Sequence, residues 1–131
     1  MASRPLKILI AEDKPSVADS LAFMLRHDGH KVEIVSDGLQ AFMTLNSRPN
    51  GFDLLITDNN MPKLDGYELV QRLRGKDNQI KVILLSAYLT CELIRKYDAL
   101  GVTHTVDKPF DFSPLRVAIA EITEMIDAPV H

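Results

Sequence analysis

The chain has 131 residues, 46% of them hydrophobic, with 15 Lys and Arg against 18 Asp and Glu for a net charge of −3. That length supports a core without disulfide or metal staples, and the balance lacks the clustered Lys and Arg of a nucleic-acid footprint. Cys91 is the single cysteine, which excludes an internal disulfide, and no apolar stretch approaches the ~18 residues that span a bilayer. Leu6 to Ala11 is a short apolar run ending in Glu12-Asp13, so it predicts a first strand with two acids at its carboxyl end. The same run is too short for a signal-peptide core, and a cytoplasmic protein is expected. Pro15, with Ser16 sharing in the start, opens a helix whose apolar face is Val17, Leu21, Met24 and Leu25, ended by Gly29 in the left-handed conformation.

Lys31 to Val35 alternates and predicts a strand nearer the edge of a sheet, followed by Ser36-Asp37-Gly38 as cap chemistry and a helix over Leu39 to Ser47. Arg48-Pro49-Asn50-Gly51 ends that helix. Asp53 to Asp58 (Asp-Leu-Leu-Ile-Thr-Asp) then reads as a buried parallel strand with Asp58 at its carboxyl end, closed by Asn59-Asn60-Met61-Pro62. After a loop to Gly66 comes a third helix, Tyr67 to Arg74, and a turn at Gly75-Lys76-Asp77-Asn78. Ile80 to Leu85 is a fourth strand ending in Ser86-Ala87. A fourth helix is expected over Thr90 to Ala99, with Cys91 as a small hydrophobe on it and Gly101 closing it. Val102 to Val106 makes a fifth strand before Asp107-Lys108-Pro109-Phe110, and Leu115, Ile119, Ile122 and Ile126 mark the face of a last helix. Five alternations of strand and helix with short connections predict an α/β fold, a parallel sheet covered on both faces. The expected organisation is one domain over residues 1–131 with a core of about 7–126, and no output domain.

Open α/β sheets place ligands at the carboxyl ends of their strands. Those ends carry Glu12-Asp13, Asp58, Ser86 and Lys108. If the first and third strands are neighbours, three carboxylates share one crevice, and two unit charges about 5 Å apart at an effective dielectric near 20 repel by roughly 3 kcal/mol. An oxygen-only donor set suits Mg²⁺ or Mn²⁺. A metal, a hydroxyl and a lysine around a carboxylate nucleophile make a phosphoryl pocket, in which the carboxylate can form an aspartyl phosphate.

In this order and spacing, Ile8-Leu9-Ile10-Ala11-Glu12-Asp13, Asp58-Asn59-Asn60-Met61-Pro62 with Asp65-Gly66, Ser86-Ala87 and Lys108-Pro109-Phe110 resemble a response-regulator receiver domain of two-component signalling. The resemblance covers roughly Lys7 to Ile126. It implies a doubly wound (βα)5 flavodoxin-like fold with strand order 2-1-3-4-5. It makes Asp58 the phosphoacceptor and gives Mg²⁺ the side chains of Asp13 and Asp58 and the backbone carbonyl of Asn60, with Glu12 acting through water. It assigns Ser86 and Lys108 to the phosphoryl oxygens, and it implies a cis Lys108–Pro109 bond. Met61-Pro62 and Gly66 would shape the loop. The implied partners are a histidine kinase or phosphotransfer protein as phosphoryl donor, and a downstream protein bound by the face of helix four, strand five and helix five. No nucleic acid or membrane is expected. The chain would be a signalling domain with at most self-catalysed phosphorylation and dephosphorylation.

One position departs from the pattern. Receivers often carry Tyr or Phe three residues before the lysine, where this chain has Thr105, which leaves Tyr88 or Tyr97 as substitutes in the switch. Tyr88, two beyond Ser86, would also shield a phosphoaspartate from water. Ser86 could instead only cap the fourth helix. Asp107 adds a charge where the family often has a small or apolar residue. Four other readings stay open: a scaffold receiver that works without phosphorylation, a receiver piece of a hybrid kinase, a phosphatase of the haloacid-dehalogenase type, and a flavin-binding protein. The phosphatase wants a second Asp where Asn60 stands, and the flavin protein wants a Gly/Ser/Thr-rich loop where Glu12-Asp13 stands.

Overall fold

The computed structural model describes residues 4–108 and 112–127. Strands and helices alternate as β1 (Lys7–Ala11), α1 (Pro15–His27), β2 (Lys31–Val35), α2 (Gly38–Ser47), β3 (Leu54–Asp58), α3 (Gly66–Gly75), β4 (Lys81–Ser86), α4 (Cys91–Asp98), β5 (His104–Asp107) and α5 (Phe112–Asp127). The sheet is parallel throughout, in the order β2-β1-β3-β4-β5. β3 lies at its centre with every residue buried, which is why its sequence is a continuous apolar run. β2 lies at an edge and carries the alternating pattern expected there.

The period of two along each strand divides the core. Ile8, Ile10, Ile56 and Leu85 pack with Leu21 and Leu25 of α1 and Leu115 and Ile119 of α5. Leu9, Leu55 and Leu84 pack on the other face with Leu45 of α2, Leu69 and Leu73 of α3, and Tyr97 of α4. Each fully buried Leu or Ile contributes about 1.5–3 kcal/mol of transfer free energy.

Helix starts follow local chemistry. Asp37 accepts from Gln40 N at 2.7 Å, and Thr90 Oγ1 from Leu93 N at 3.1 Å. Asp65 and Glu68 form a reciprocal capping box at the start of α3. At α1, Pro15 opens the helix with Ser16 beside it in the first turn, and Lys14 before it makes no side-chain cap bond.

Two helices end in the same way. Gly29 (φ +97°) and Gly101 (φ +82°) take the left-handed conformation. Behind them His30 N donates to Leu25 O and Val102 N to Tyr97 O, both at 3.0 Å, the outer bond of a Schellman closure. That closure moves the expected start of the fifth strand: the Val102 amide belongs to the end of α4, so β5 begins at His104. In the turn after α3, Gly75 stays helical and Asp77 takes the positive φ of 61°.

Candidate functional site

Parallel register brings the carboxyl ends of β1, β3, β4 and β5 to one rim. Ala11 lies opposite Thr57, Asp58 opposite Leu85, and Ser86 opposite Asp107. The residues that follow β1 and β5, or close β3, are therefore Glu12-Asp13, Lys108 and Asp58. One carboxylate oxygen from each of Glu12, Asp13 and Asp58 lies within 4.8 Å of the others. Lys108 Nζ reaches between two of them, 2.5 Å from Glu12 Oε1 and 3.0 Å from Asp58 Oδ2. Glu12 Oε2 accepts from Lys14 N at 3.1 Å, which fixes the carboxylate over the start of α1.

Burial and charge pull against each other here. Burial pushes the Glu12 carboxyl above its usual range, further aided by the Asp58 charge and opposed by Lys108 and the Lys14 amide. Burial alone would depress Lys108, but its bonds to Glu12 and Asp58 outweigh that, and the ammonium is held more firmly than an ordinary lysine's. Three carboxylates against one ammonium still leave negative charge uncompensated. Asp13 Oδ1 is a buried oxygen with no hydrogen-bond partner among the described residues. An orphaned carboxylate oxygen beside two more, with no His or Cys donor in the group, fits a hard divalent cation.

Ser86 is buried at the end of β4. Its Oγ accepts from Tyr88 N at 3.2 Å and its carbonyl accepts from Lys108 N at 2.8 Å, so β4 and β5 are clamped where the serine and lysine emerge. The accepted amide leaves the hydroxyl proton for another acceptor. Ser86 is not the cap of α4, because Thr90 holds that place.

The loop after Asp58 is shaped by close approach. Gly66 N donates to Asn59 O at 2.9 Å. A Cβ on Gly66 would come within 2.5 Å of the Asp58 carbonyl and 2.6 Å of the Tyr97 hydroxyl, so only glycine fits. Asn60 is exposed, and its side chain meets Asn59 Nδ2 at 3.4 Å.

The residues named for the switch separate. Thr105 is half-buried, in register with Leu84 and thus on the α4 side of the sheet. Tyr88 is 81% exposed, and its amide donates to Ser86 Oγ. Cys91, expected as a small hydrophobe on the fourth helix, is on it but exposed at the first position of α4, a helix whose sole buried residue is Tyr97. The Lys108–Pro109 bond and Phe110 lie outside the described residues.

Tyr97 reaches the site by a contact that sequence reasoning missed. Its hydroxyl donates to Asn59 Oδ1 at 2.8 Å. The ring is fully buried and meets Tyr67 edge-on, at 5.9 Å between centroids and 77° between planes. Burial, with the nearby charges of Asp65 and Asp58, pushes the phenol far above its ordinary pKa, so it remains a donor. The available signal was a tyrosine four residues before a helix-closing glycine, but nothing in the sequence pairs it with Asn59.

The model of the response regulator receiver domain family matches residues 8–120. Sporulation initiation phosphotransferase F of Bacillus subtilis is 32% identical over 114 residues, which cover 86% of this chain and 90% of that protein. Response regulator MprA of Mycobacterium sp. (strain KMS) is 33% identical over 113 residues, 85% of this chain but 47% of its own length, so the chain spans about half of that relative. Among solved structures, the receiver domain of the Francisella response regulator 1452 superposes with a TM-score of 0.85 at 26% identity, covering 93% of this chain and 99% of that one. Receiver domains are signalling domains that take phosphoryl groups from histidine kinases or phosphotransfer proteins and bind Mg²⁺ in an acidic pocket, and the described residues include no helix long and apolar enough to cross a membrane. The fold, the acid cluster and these matches together place the chain in the response-regulator receiver family.

Proposed function

We propose that Asp58 is the phosphoacceptor of this receiver. One observation carries the reading: Lys108 Nζ lies 3.0 Å from Asp58 Oδ2 while the orphaned Asp13 Oδ1 stands in the same group of acids. A carboxylate oxygen of Asp58 attacks the phosphorus of a phosphohistidine on the donor protein. The new O–P bond forms as the P–N bond breaks, and the imidazole nitrogen leaves with the electron pair and is then protonated. Asp13, Asp58 and the Asn60 carbonyl would hold Mg²⁺ or Mn²⁺, with Glu12 contributing through water. When bound, the cation would offset charge on the phosphoryl oxygens. Ser86 donates its free hydroxyl proton to one phosphoryl oxygen, and Lys108 pairs with another.

The switch follows from those two contacts. A hydrogen bond to a charged group is worth roughly 1.5–3 kcal/mol, and turning a 1:99 population into 99:1 takes about 5.5 kcal/mol. The new Ser86 bond and the change of partner at Lys108 contribute toward that figure and bias the face of α4, β5 and α5 for a downstream protein. Loss of the phosphoryl group is self-catalysed hydrolysis, and the role belongs to the cytoplasm. The test is incubation with Mg²⁺ and acetyl phosphate, read by mass, for the parent and Asp58→Asn. The parent is expected to gain one phosphoryl group and the variant none; equal labelling of both sinks the assignment.

A further inference from the structure

With Thr105 in the place that receivers often give to an aromatic ring, the route from Asp58 to the output face needs another carrier. α4 offers one residue for it. The helix runs for 8 residues and buries only Tyr97. Its remaining hold on the core is partial, through Leu93 and the flanking Leu89 and Leu100. A segment with so little buried apolar surface is drawn from the low-stability end of a fold, where opening is local.

The single anchor of α4 is tied to the acid pocket. Tyr97 donates to Asn59 Oδ1 at 2.8 Å, and Asn59 follows Asp58 directly. Asn59 Nδ2 in turn meets Asn60 Oδ1 at 3.4 Å, and Asn60 bears the carbonyl assigned above to the cation. Gly66 leaves room for the phenol against the Asp58 carbonyl, while its amide holds the Asn59 carbonyl at 2.9 Å. Tyr67 braces the ring from α3, and Lys96 of α4 sits 4.3 Å from the Tyr67 ring centroid. A turn of the Asn59–Asn60 segment therefore carries with it the acceptor of a buried phenol.

We infer that Tyr97 is a positioning residue: its bond to Asn59 makes loading of the acid pocket and seating of α4 a single coupled equilibrium. Fixing the Asn59–Asn60 segment at the pocket fixes the acceptor and seats α4. By linkage, a seated α4 strengthens the pocket's hold on its cation by the same factor. Residues that orient the ligands of a site act in this way without touching what is bound. The inference rests on the phosphoacceptor reading, because it takes the Asn60 carbonyl as a ligand.

The test compares the parent with Tyr97→Phe, which removes only the hydroxyl, and with Asn59→Ala, which removes the acceptor from the other side. Amide hydrogen exchange of residues 91–98 is followed with no ligand, with Mg²⁺, and with Mg²⁺ plus beryllofluoride, alongside Mg²⁺ affinity by titration. In the parent, loading is expected to slow exchange in α4 by roughly five- to tenfold, within the usual range of coupling between sites. Both variants are expected to lose that slowing and to bind Mg²⁺ more weakly by a similar factor, and the double variant to fare no worse than either. Tyr97→Phe retaining parental Mg²⁺ affinity and the parental slowing of α4 overturns the inference while the phosphoacceptor reading stands. The same holds if the variant only melts at a lower temperature. If the parent itself takes up neither Mg²⁺ nor beryllofluoride, the phosphoacceptor reading fails and the inference with it.

Discussion

Helices α1 and α4 close on the same backbone device, a left-handed glycine and a returning amide, yet α1 buries Ala18, Leu21, Ala22, Met24 and Leu25 whereas α4 buries Tyr97 alone. Their starts differ in the opposite sense: Thr90 caps α4 with a side-chain bond, and Lys14 makes none for α1. One helix is held by five buried side chains, the other by one buried ring with its polar contact, a local cap and partly buried leucines. A receiver needs both kinds, because a frame must stay still for a neighbouring element to report on the site. The difference places more buried side chains in α1 and, on the inference above, the response in α4.

Substitutions can break the two sides of that contrast separately. Leu25→Ala, at a fully buried position of α1, is expected to cost about 2–5 kcal/mol in denaturant unfolding and to speed exchange across the whole core. Gly66→Ala comes next: its Cβ would crowd the Asp58 carbonyl and the Tyr97 hydroxyl, at a cost of about 1–3 kcal/mol, with α4 amides exchanging faster than those of α1. Thr90→Ala should cost about 1 kcal/mol and fray α4, while Lys14→Ala leaves α1 unchanged; the same denaturant curves measure both. If Leu25→Ala and Thr90→Ala cost the same, the contrast between the helices is wrong.

The smallest effect concerns pH and the residues that follow the two glycines. Val102 follows Gly101, but His30 follows Gly29 and its Nδ1 accepts from Leu6 N at 3.0 Å, which only the neutral ring can do. Burial holds the His30 pKa below the usual imidazole value, against a weaker opposing pull from Asp28. The unfolded chain therefore takes up this proton more readily than the folded one. The His30 contribution is whole above the unfolded value of about 6.5 and is lost progressively as pH falls below it. His30→Gln should flatten the fall in melting temperature between neutral and mildly acid buffer, and an unchanged slope removes His30 as its source.

Much of this was legible because it rests on periodicity. The run Leu54-Leu55-Ile56-Thr57 announced a strand buried on both faces, the alternation from Lys31 to Val35 an edge, and the order of acids, serine and lysine at strand ends the family. The misses come from contacts between elements distant in sequence. Val102 looks like a strand residue, but the closing turn of α4 claims its amide. Cys91 and Tyr97 share one helix, and which is buried depends on how α4 lies against α3, not on either residue's own character. Asn59 stands in the turn after β3, and its bond partner is a phenol 38 positions away.

Lys108 already spans two anions, Glu12 and Asp58. A phosphoryl group arriving on Asp58 would thus meet a cation that is already engaged, and the ammonium would trade one partner for another. The lysine's share of the free-energy gap is then a difference between similar attractions, and the newly made Ser86 bond carries the larger part. Such an exchange lets the lysine discriminate between states without trapping the domain in one of them. A free lysine in its place would grip the modified state as a new contact and release it slowly.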